Sequence, residues 1–575
     1  MHDIVIRGGT IVDGTGSDSF TGDLAIDGTQ ITQVGGSAGA ARREIDADGA
    51  LVAPGWVDIH THYDGQATWD PLLAPSSWHG VTTVMFGNCG VGFAPAREQH
   101  RSSLIELMEG VEDIPGAALS EGLQWDWESF PEFLDALERR PRVLDVGTQM
   151  PHHALRVFVM GERAMRHEPA TAQDIKAMRD LTEQALRAGA FGFTTSRTDG
   201  HKTVKGEMVP GRYCEDDELI GISDALTAVG HGAFGLIADF HDEEREFDCM
   251  TRIGQQTKRP VWFLLTDRSY DPERYRRLLD RASAGRQKGA ALTAQVCSRP
   301  IGLILGLSTS LTPFSVRPTF KALEKLPLTE RIERLRDPQV RRAILNEEVS
   351  QSLLEVLPPL TQQVATRWDR MYVLGDPPNY EPEYERSVAA IAEKEGRSPA
   401  EVAYDYLVGD DGQRTFFFPV TGYTSGDFSG IHDMMIDPCS IVGLSDGGAH
   451  CGVICDASTP SHMLTHWVRD RTRGERVPLE WAIQQQTSIT ADFFGFRDRG
   501  RLEVGKKADI NIIDFDNLRL HPPKIIYDLP AGGKRLVQAV DGYLLTMVSG
   551  VPTFENGVHT GALPGALVRS TQFAG

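Results

Sequence analysis

Residues 54–65 read PGWVDIHTHYDG, a short apolar run that ends in two histidines one residue apart. Side chains on a strand alternate between its two faces, so His60 and His62 point the same way. Two neutral imidazoles aimed at one point suit a divalent metal ion. A pair of ordinary hydrogen-bonding histidines closing a strand would look the same, so the rest of the chain has to decide between them.

Downstream, apolar stretches alternate with helical ones. HGVTTVMFGNCG (79–90) and RVLDVGTQMPHH (142–153) read as buried strands. TAQDIKAMRDLTEQALRAG (171–189) reads as an amphipathic helix. Ile175, Met178, Leu181, Ala185 and Leu186 share one of its faces, Thr171 is its N-cap and Gly189 its stop. That helix leads into AFGFTTS, and GAFGLIADF (232–240), RPVWFLLTD (259–267), GAALTAQVCSRP (289–300) and SIVGLSDGGAH (440–450) follow as further strands. Strands separated by helices mean βα units and a parallel sheet. Seven or eight such units across 55–495 predict an α/β fold, a (β/α)8 TIM-like barrel. Residues 310–400 are charged and helical with no strand to place, so they read as an insertion over the barrel mouth.

The two ends of the chain are of a different kind. DIVIRGGTIVDG (3–14) and GDLAIDGTQITQVGG (22–36) alternate apolar and polar residues and break at Gly-Gly and Asp-Gly. ADINIIDFDNL (508–518) and GYLLTMVSGVPTFENGVHTG (542–561) repeat the pattern. Residues 1–54 and 496–575 are therefore expected to pair into one small β-sandwich, with a C-terminal tail.

Composition narrows the function. The 575 residues carry 80 acidic against 58 basic side chains, a net charge of −22. Nucleic acid and anionic membrane surfaces would repel such a chain. No run approaches the ~20 apolar residues of a membrane helix, and MHDIVIRGGTIVDGTG has no leader pattern. Seven dispersed cysteines without a CxxC pair point to reduced thiols and a cytoplasmic protein. Large barrels with insertions often assemble, so a homo-oligomer is expected.

In a (β/α)8 barrel the chemistry sits at the C-terminal ends of the strands. Here those ends are polar again and again: His60 and His62, Asn88-Cys89-Gly90, His152-His153, Thr194-Thr195-Ser196-Arg197, Ser445-Asp446-Gly447. His152 is placed to meet a substrate oxyanion or to orient water, or else is a strand-end histidine bonded to its own loop. Arg197 offers a substrate carboxylate a bidentate partner, and equally a salt bridge to the charged rim of the barrel. His450 lies four residues past Asp446, within reach of substrate or metal. His462 and His466 stand one helical turn apart and read better as a packing helix than as a metal site.

APGWVDIHTHYD (53–64), GVTTVMFGNCGVGFAP (80–95), HHALRVFVMG (152–161), MRDLTEQALRAGAFGFTTS (178–196), GLSDGG (443–448), DRGRLEVGKKADINIID (498–514), YDLPAGGKRL (527–536) and TGALPGALVRS (560–570) together resemble the amidohydrolase superfamily. Within it, they resemble the N-acyl-D-amino-acid deacylase (D-aminoacylase) group. The resemblance implies a metal-dependent hydrolase of a small-molecule amide, with a barrel and a small β-domain from both termini. Carried over by position, it makes His60, His62, Cys89 and Asp446 metal ligands, and Asp446 also the general base and acid. Zn2+, as one or two ions, is the expected cofactor. Such an ion brings the pKa of bound water down to roughly 7 and polarises a carbonyl, while a carboxylate moves the proton to the leaving nitrogen.

The pattern also departs from that group. It implies one histidine at the end of strand five and another at strand six. The first position falls on Ile237, and strand six has leucines. Asp239, His241 and Asp267 stand nearby as substitutes, and no lysine occupies a strand-four position for a carbamylated bridge. A cyclic amide, lactone or carbamate would use the same carbonyl chemistry. A barrel that had lost its tight site would serve instead as a binding or assembly protein.

Overall fold

The run before His60 forms β1 (Trp56–Asp58) of a parallel barrel. The structure, a computed structural model, describes residues 1–350, 352, 357–443 and 445–573. β1 pairs parallel with β2 (Val81–Phe86), and β2 with β3 (Asp145–Thr148, resumed at Met150–Pro151). β4 (Gly192–Arg197), β5 (Ala233–Ala238), β6 (Val261–Leu265), β7 (Leu292–Val296) and β8 (Ser440–Val442) follow, each parallel to the one before. The ring closes between its first and last members. Thr61 bridges Gly447, the His62 N–H donates to the Gly447 carbonyl at 2.7 Å, and the Asp446 N–H donates to the His60 carbonyl at 3.1 Å. The expected (β/α)8 barrel is present.

The strands are apolar because both faces are covered: β2 and β7 are buried at every residue. The helix foreseen over 171–189 is α1 (Ala172–Ala188). The Thr171 hydroxyl accepts from the Asp174 N–H and the Asp174 carboxylate returns the bond, which satisfies two donors at the helix start. Gly189 ends it at a φ of 124°.

Both ends of the chain meet in one nine-stranded sheet. His2–Ile11, Phe20–Asp27, Gln30–Val34, Ala41–Asp46 and Leu51–Pro54 supply its first half, and Ile510–Ile513, Tyr543–Val548, Val551–Glu555 and Val558–His559 its second. The seam is antiparallel, with Val52 opposite Ile512. Ile6, Leu24, Ile26, Val52, Ile510 and Met547 form its apolar core. The tail then returns to the barrel, where the Val146 N–H donates to the Ala566 carbonyl at 3.0 Å and the Val568 N–H to the Val146 carbonyl at 2.8 Å.

The insertion differs from the sequence expectation. It contains the helices Pro318–Leu323, Leu328–Leu335, Pro338–Asn346 and Pro359–Thr366, but it also has a sheet. Gly302–Leu305, Phe416–Pro419 and Tyr372–Val373 pair antiparallel over an apolar cluster of their own. The unit thus begins before 310 and ends after 400. Residue 351 and residues 353–356 of this stretch lie outside the described residues, as does residue 444 beside the last strand end.

Candidate active site

His60 and His62 leave β1 on the same face, and Cys89 is presented by the loop after β2. Their donor atoms, with one nitrogen of each ring and the sulfur, all lie within 4.8 Å of one another. Asp446, past β8, stands beside this group: one of its oxygens, Oδ1, is 3.5 Å from His60 Nε2 and 3.5 Å from His62 Nε2. Cys89 Sγ is 3.5 Å from His60 Nε2. His60 is fully buried, and His62 and Cys89 nearly so. Cys89, Asp446 and His450 hold φ values of 55°, 49° and 52°. Each such non-glycine residue costs about 1 kcal/mol or more, which surrounding contacts must offset.

Behind the rings stand two groups that sequence reasoning missed. Gln295 Oε1, on β7, lies 2.5 Å from His60 Nδ1 and fixes that ring with Nε2 towards the group. Glu112 ends the helix Arg101–Glu112, and its Oε1 lies 3.3 Å from His62 Nδ1. A carboxylate or amide oxygen behind each imidazole is how metal-binding histidines are oriented. Gln295 gave a signal, a polar side chain in the buried run LTAQV. Glu112 gave a weaker one, an acid on the apolar face with Leu104, Met108 and Val111.

The field at this point favours positive charge. Burial pulls the His62 pKa down, but the Glu112 charge and the hydrogen bonds with Asp446 and Cys89 outweigh it and set it well above the ordinary value. Burial raises Asp446 too, yet its bond with His62 and the charges of His60, His62 and His450 hold it below the carboxylate range. Burial pushes His60 down to about 4 and the Cys89 thiol up to about 12. A neutral imidazole, a second imidazole in an anionic field, a carboxylate and a thiol that a cation would ionise are a donor set that fits a divalent ion.

A family model for the amidohydrolase family matches residues 43–554. The chain belongs to that family. Among its relatives, D-aminoacylase of Alcaligenes xylosoxydans xylosoxydans is 25% identical over 589 residues, 99% of this chain and 98% of that protein. A solved D-aminoacylase, described with a binuclear metal centre, superimposes with a TM-score of 0.66 at 22% identity, over 99% of this chain and 100% of that one. N-acyl-D-glutamate deacylase from Bordetella bronchiseptica, solved with zinc and a phosphonate mimic of the tetrahedral intermediate, gives 0.62 at 22% identity over 99% of both chains. This amidohydrolase is a hydrolytic enzyme.

The amidohydrolase commits several other expected site residues elsewhere. On β4 the pleat decides. Thr194 and Ser196 face the mouth, where Gly90 N–H donates to Thr194 Oγ1 at 3.1 Å. Thr195 and Arg197 face the helices. Arg197 takes the salt-bridge alternative: its Nη1 donates to Asp216 at 2.6 Å and its Nη2 to Glu246. Both nitrogens of His152 are occupied: Nδ1 bonds Thr195 Oγ1 at 2.7 Å and Nε2 bonds Glu218 at 2.9 Å. Asp267 accepts from the Gly422 and Thr424 N–H groups and anchors that loop.

Asp239 and His241 do not join the His60 group. Asp239 accepts from Thr198 Oγ1 at 2.7 Å and from the Asp199 N–H at 2.6 Å. His241, 69% exposed, lies 3.3 Å from Asp199. The three form a separate cluster at the rim. His450 does reach the site, with Nε2 3.7 Å from Glu112 Oε2. His462 and His466 stack at 4.8 Å on a helix whose His466 bonds Glu381. Among the described residues no disulfide forms, and no helix is long and apolar enough to cross a membrane.

Proposed function

We propose that this amidohydrolase cleaves the amide bond of a small N-acyl amino acid, in the manner of its D-aminoacylase relatives, with a divalent ion, zinc, held by His60, His62, Cys89 and Asp446. The observation that carries the reading is the shared approach of both His Nε2 atoms to one Asp446 oxygen, 3.5 Å in each case, with Cys89 closing the group. When bound, the ion supplies Lewis acidity to the scissile carbonyl and to a water. Asp446, ionised and turned to the same point, takes a proton from the attacking water and hands it to the departing nitrogen. Gln295 keeps the His60 ring in register with that transfer, and the Glu112 charge stands behind His62. Burial of His60, His62 and Cys89 keeps bulk water away, so the charges act at low dielectric.

Purified protein is expected to carry at least about one zinc per chain by elemental analysis. It should hydrolyse one or more members of a panel of N-acetyl-D-amino acids, lose the activity to a chelator and regain it with Zn2+. A protein that neither retains nor responds to metal and cleaves no amide in the panel overturns the reading. Replacing the groups behind the rings tests the same assignment at a distance. Gln295→Leu and Glu112→Gln are each expected to weaken zinc affinity by about 10- to 100-fold in a competition titration. Unchanged affinity in both variants would remove them from the site.

A further inference from the structure

Past β4 the chain doubles back and brings His201, in TDGHK, to the mouth of the barrel. Its ring lies close enough to His62, His450, Asp239 and Asp446 for their charges to act on it. A chain of hydrogen bonds determines which of its nitrogens carries the proton. The Gly211 backbone N–H, which can only donate, reaches His153 Nδ1 at 3.1 Å. His153 Nδ1 is therefore unprotonated, and the proton of this neutral ring is on Nε2, 2.9 Å from Ser196 Oγ. A protonated Nε2 has no lone pair, so Ser196 cannot donate to it. The hydroxyl proton goes instead to His201 Nδ1, also 2.9 Å from Ser196 Oγ. His201 is thereby fixed with its own proton on Nε2. That nitrogen has no partner among the described residues, and the side chain is partly accessible. Burial, with the charges of His62 and His450, pushes the His201 pKa down to about 3, so the ring is neutral and holds one N–H.

Several other N–H donors around the mouth are committed, while the Gln295 Nε2–H and Trp262 Nε1–H, without partners among the described residues, are buried behind His60. Asn88 donates to the Thr61 and Met85 carbonyls at 3.1 and 3.0 Å, and Gln66 to the Gly448 carbonyl at 2.6 Å. Arg197 and His152 are held by carboxylates on the far side of β4. We propose that the Nε2–H of His201 is the donor that meets the scissile carbonyl oxygen as it gains negative charge, with Ser196 and His153 as positioning residues that fix its tautomer. The proposal rests on the amide-hydrolase reading and gives it a second electrophilic contact from this chain. A neutral N–H held by three successive hydrogen bonds needs no reorientation when charge develops, and that is where such donors are most effective.

The test uses the zinc-loaded full chain. His201→Ala should lower kcat by about 10²- to 10³-fold, the loss seen on removing one such donor, with KM and zinc content within about threefold of the parent. His201→Gln, which returns an N–H near the Nε2 position, should recover part of the loss. Ser196→Ala should cost about tenfold by freeing the tautomer. A kcat within fivefold of the parent in His201→Ala, or a loss that follows zinc content, overturns the proposal. Histidine-selective 15N spectra of the parent protein give a readout independent of turnover. His153 and His201 are expected as Nε2–H tautomers, and a predominant Nδ1–H form of His201 overturns the proposal. Should the parent cleave none of the amide panel, the deacylase reading falls on that result and the 15N spectra alone decide His201.

Discussion

Asp446→Asn is expected to lower kcat by about 10³- to 10⁴-fold while leaving zinc content within twofold of the parent. Asparagine keeps the size of the side chain and an oxygen that can face the two imidazoles, both 3.5 Å from Oδ1. In the proposed site His60, His62 and Cys89 remain to hold the ion. What disappears is the charge, and with it the ability to accept the water's proton. Proton transfer by a placed side chain contributes about 10²- to 10⁴-fold, and loss of a charged contact to the cation adds to it. The native carboxylate is ionised because His62 and the neighbouring charges outweigh its burial. Its left-handed backbone at a φ of 49° aims it back across the closure between β8 and β1. Rates should be measured with metal content determined on the same sample. A loss under tenfold, or one that added Zn2+ restores, would take Asp446 out of proton transfer.

The barrel and the ends of its strands were legible because the period of a strand and the position of a strand end are local properties. WVD before His60, VTTVMF before Cys89 and SIV before Asp446 each show an apolar run broken by polar residues, and each break stands at the mouth. The pairing of the two chain ends was legible for a similar reason, since alternation with Asp-Gly and Gly-Gly breaks marks half-buried strands. Which face a strand-end residue takes is also local, yet at β4 the sequence left Arg197 open between a substrate contact and a salt bridge. Ser196 and Arg197 are neighbours, and the polar run TTSR does not show by itself which parity faces the mouth. The structure places Ser196 inward against His153 and His201, and Arg197 outward against Asp216 and Glu246. Glu112, Gln295 and His201 come from a helix end, a strand interior and a returning loop. Their meeting depends on contacts across 50 to 235 residues of sequence, to which local periodicity is blind. The sheet of the insertion was missed because Tyr372–Val373 is two residues long and shows no alternation.

The largest expected loss of stability is at the opposite end of the barrel. Asp145 opens β3 and is buried, and its Oδ2 accepts from Arg499 Nη1 at 2.6 Å and from Lys507 Nζ at 2.7 Å. Its Oδ1 accepts from the Ala566 N–H at 2.9 Å. One carboxylate thus joins the barrel to the segment leading into the terminal sheet and to the C-terminal tail. Burial alone would raise its pKa, but the charges of Lys507 and Arg499 outweigh that and hold it below the ordinary carboxylate range. Asp145→Asn removes the charge and leaves the buried Arg499 with the partly exposed Asp498 and Lys507 with Asp509. Breaking a buried pair from one side costs about 3–5 kcal/mol, because the remaining ion keeps its desolvation penalty. The expected result is a fall of that size in unfolding free energy by denaturant titration, with kcat of the folded protein unchanged, since the bottom of a barrel serves stability and not chemistry. The sign of the pH effect follows from the depressed pKa. The contribution of Asp145 is present in full above the unfolded carboxylate value of about 4 and is lost as pH falls through the folded value below it, so the parent should lose more stability on acidification than the variant. A loss under about 1 kcal/mol, or parallel acid limbs for the two proteins, would show that the ion pair does not hold the terminal segments to the barrel.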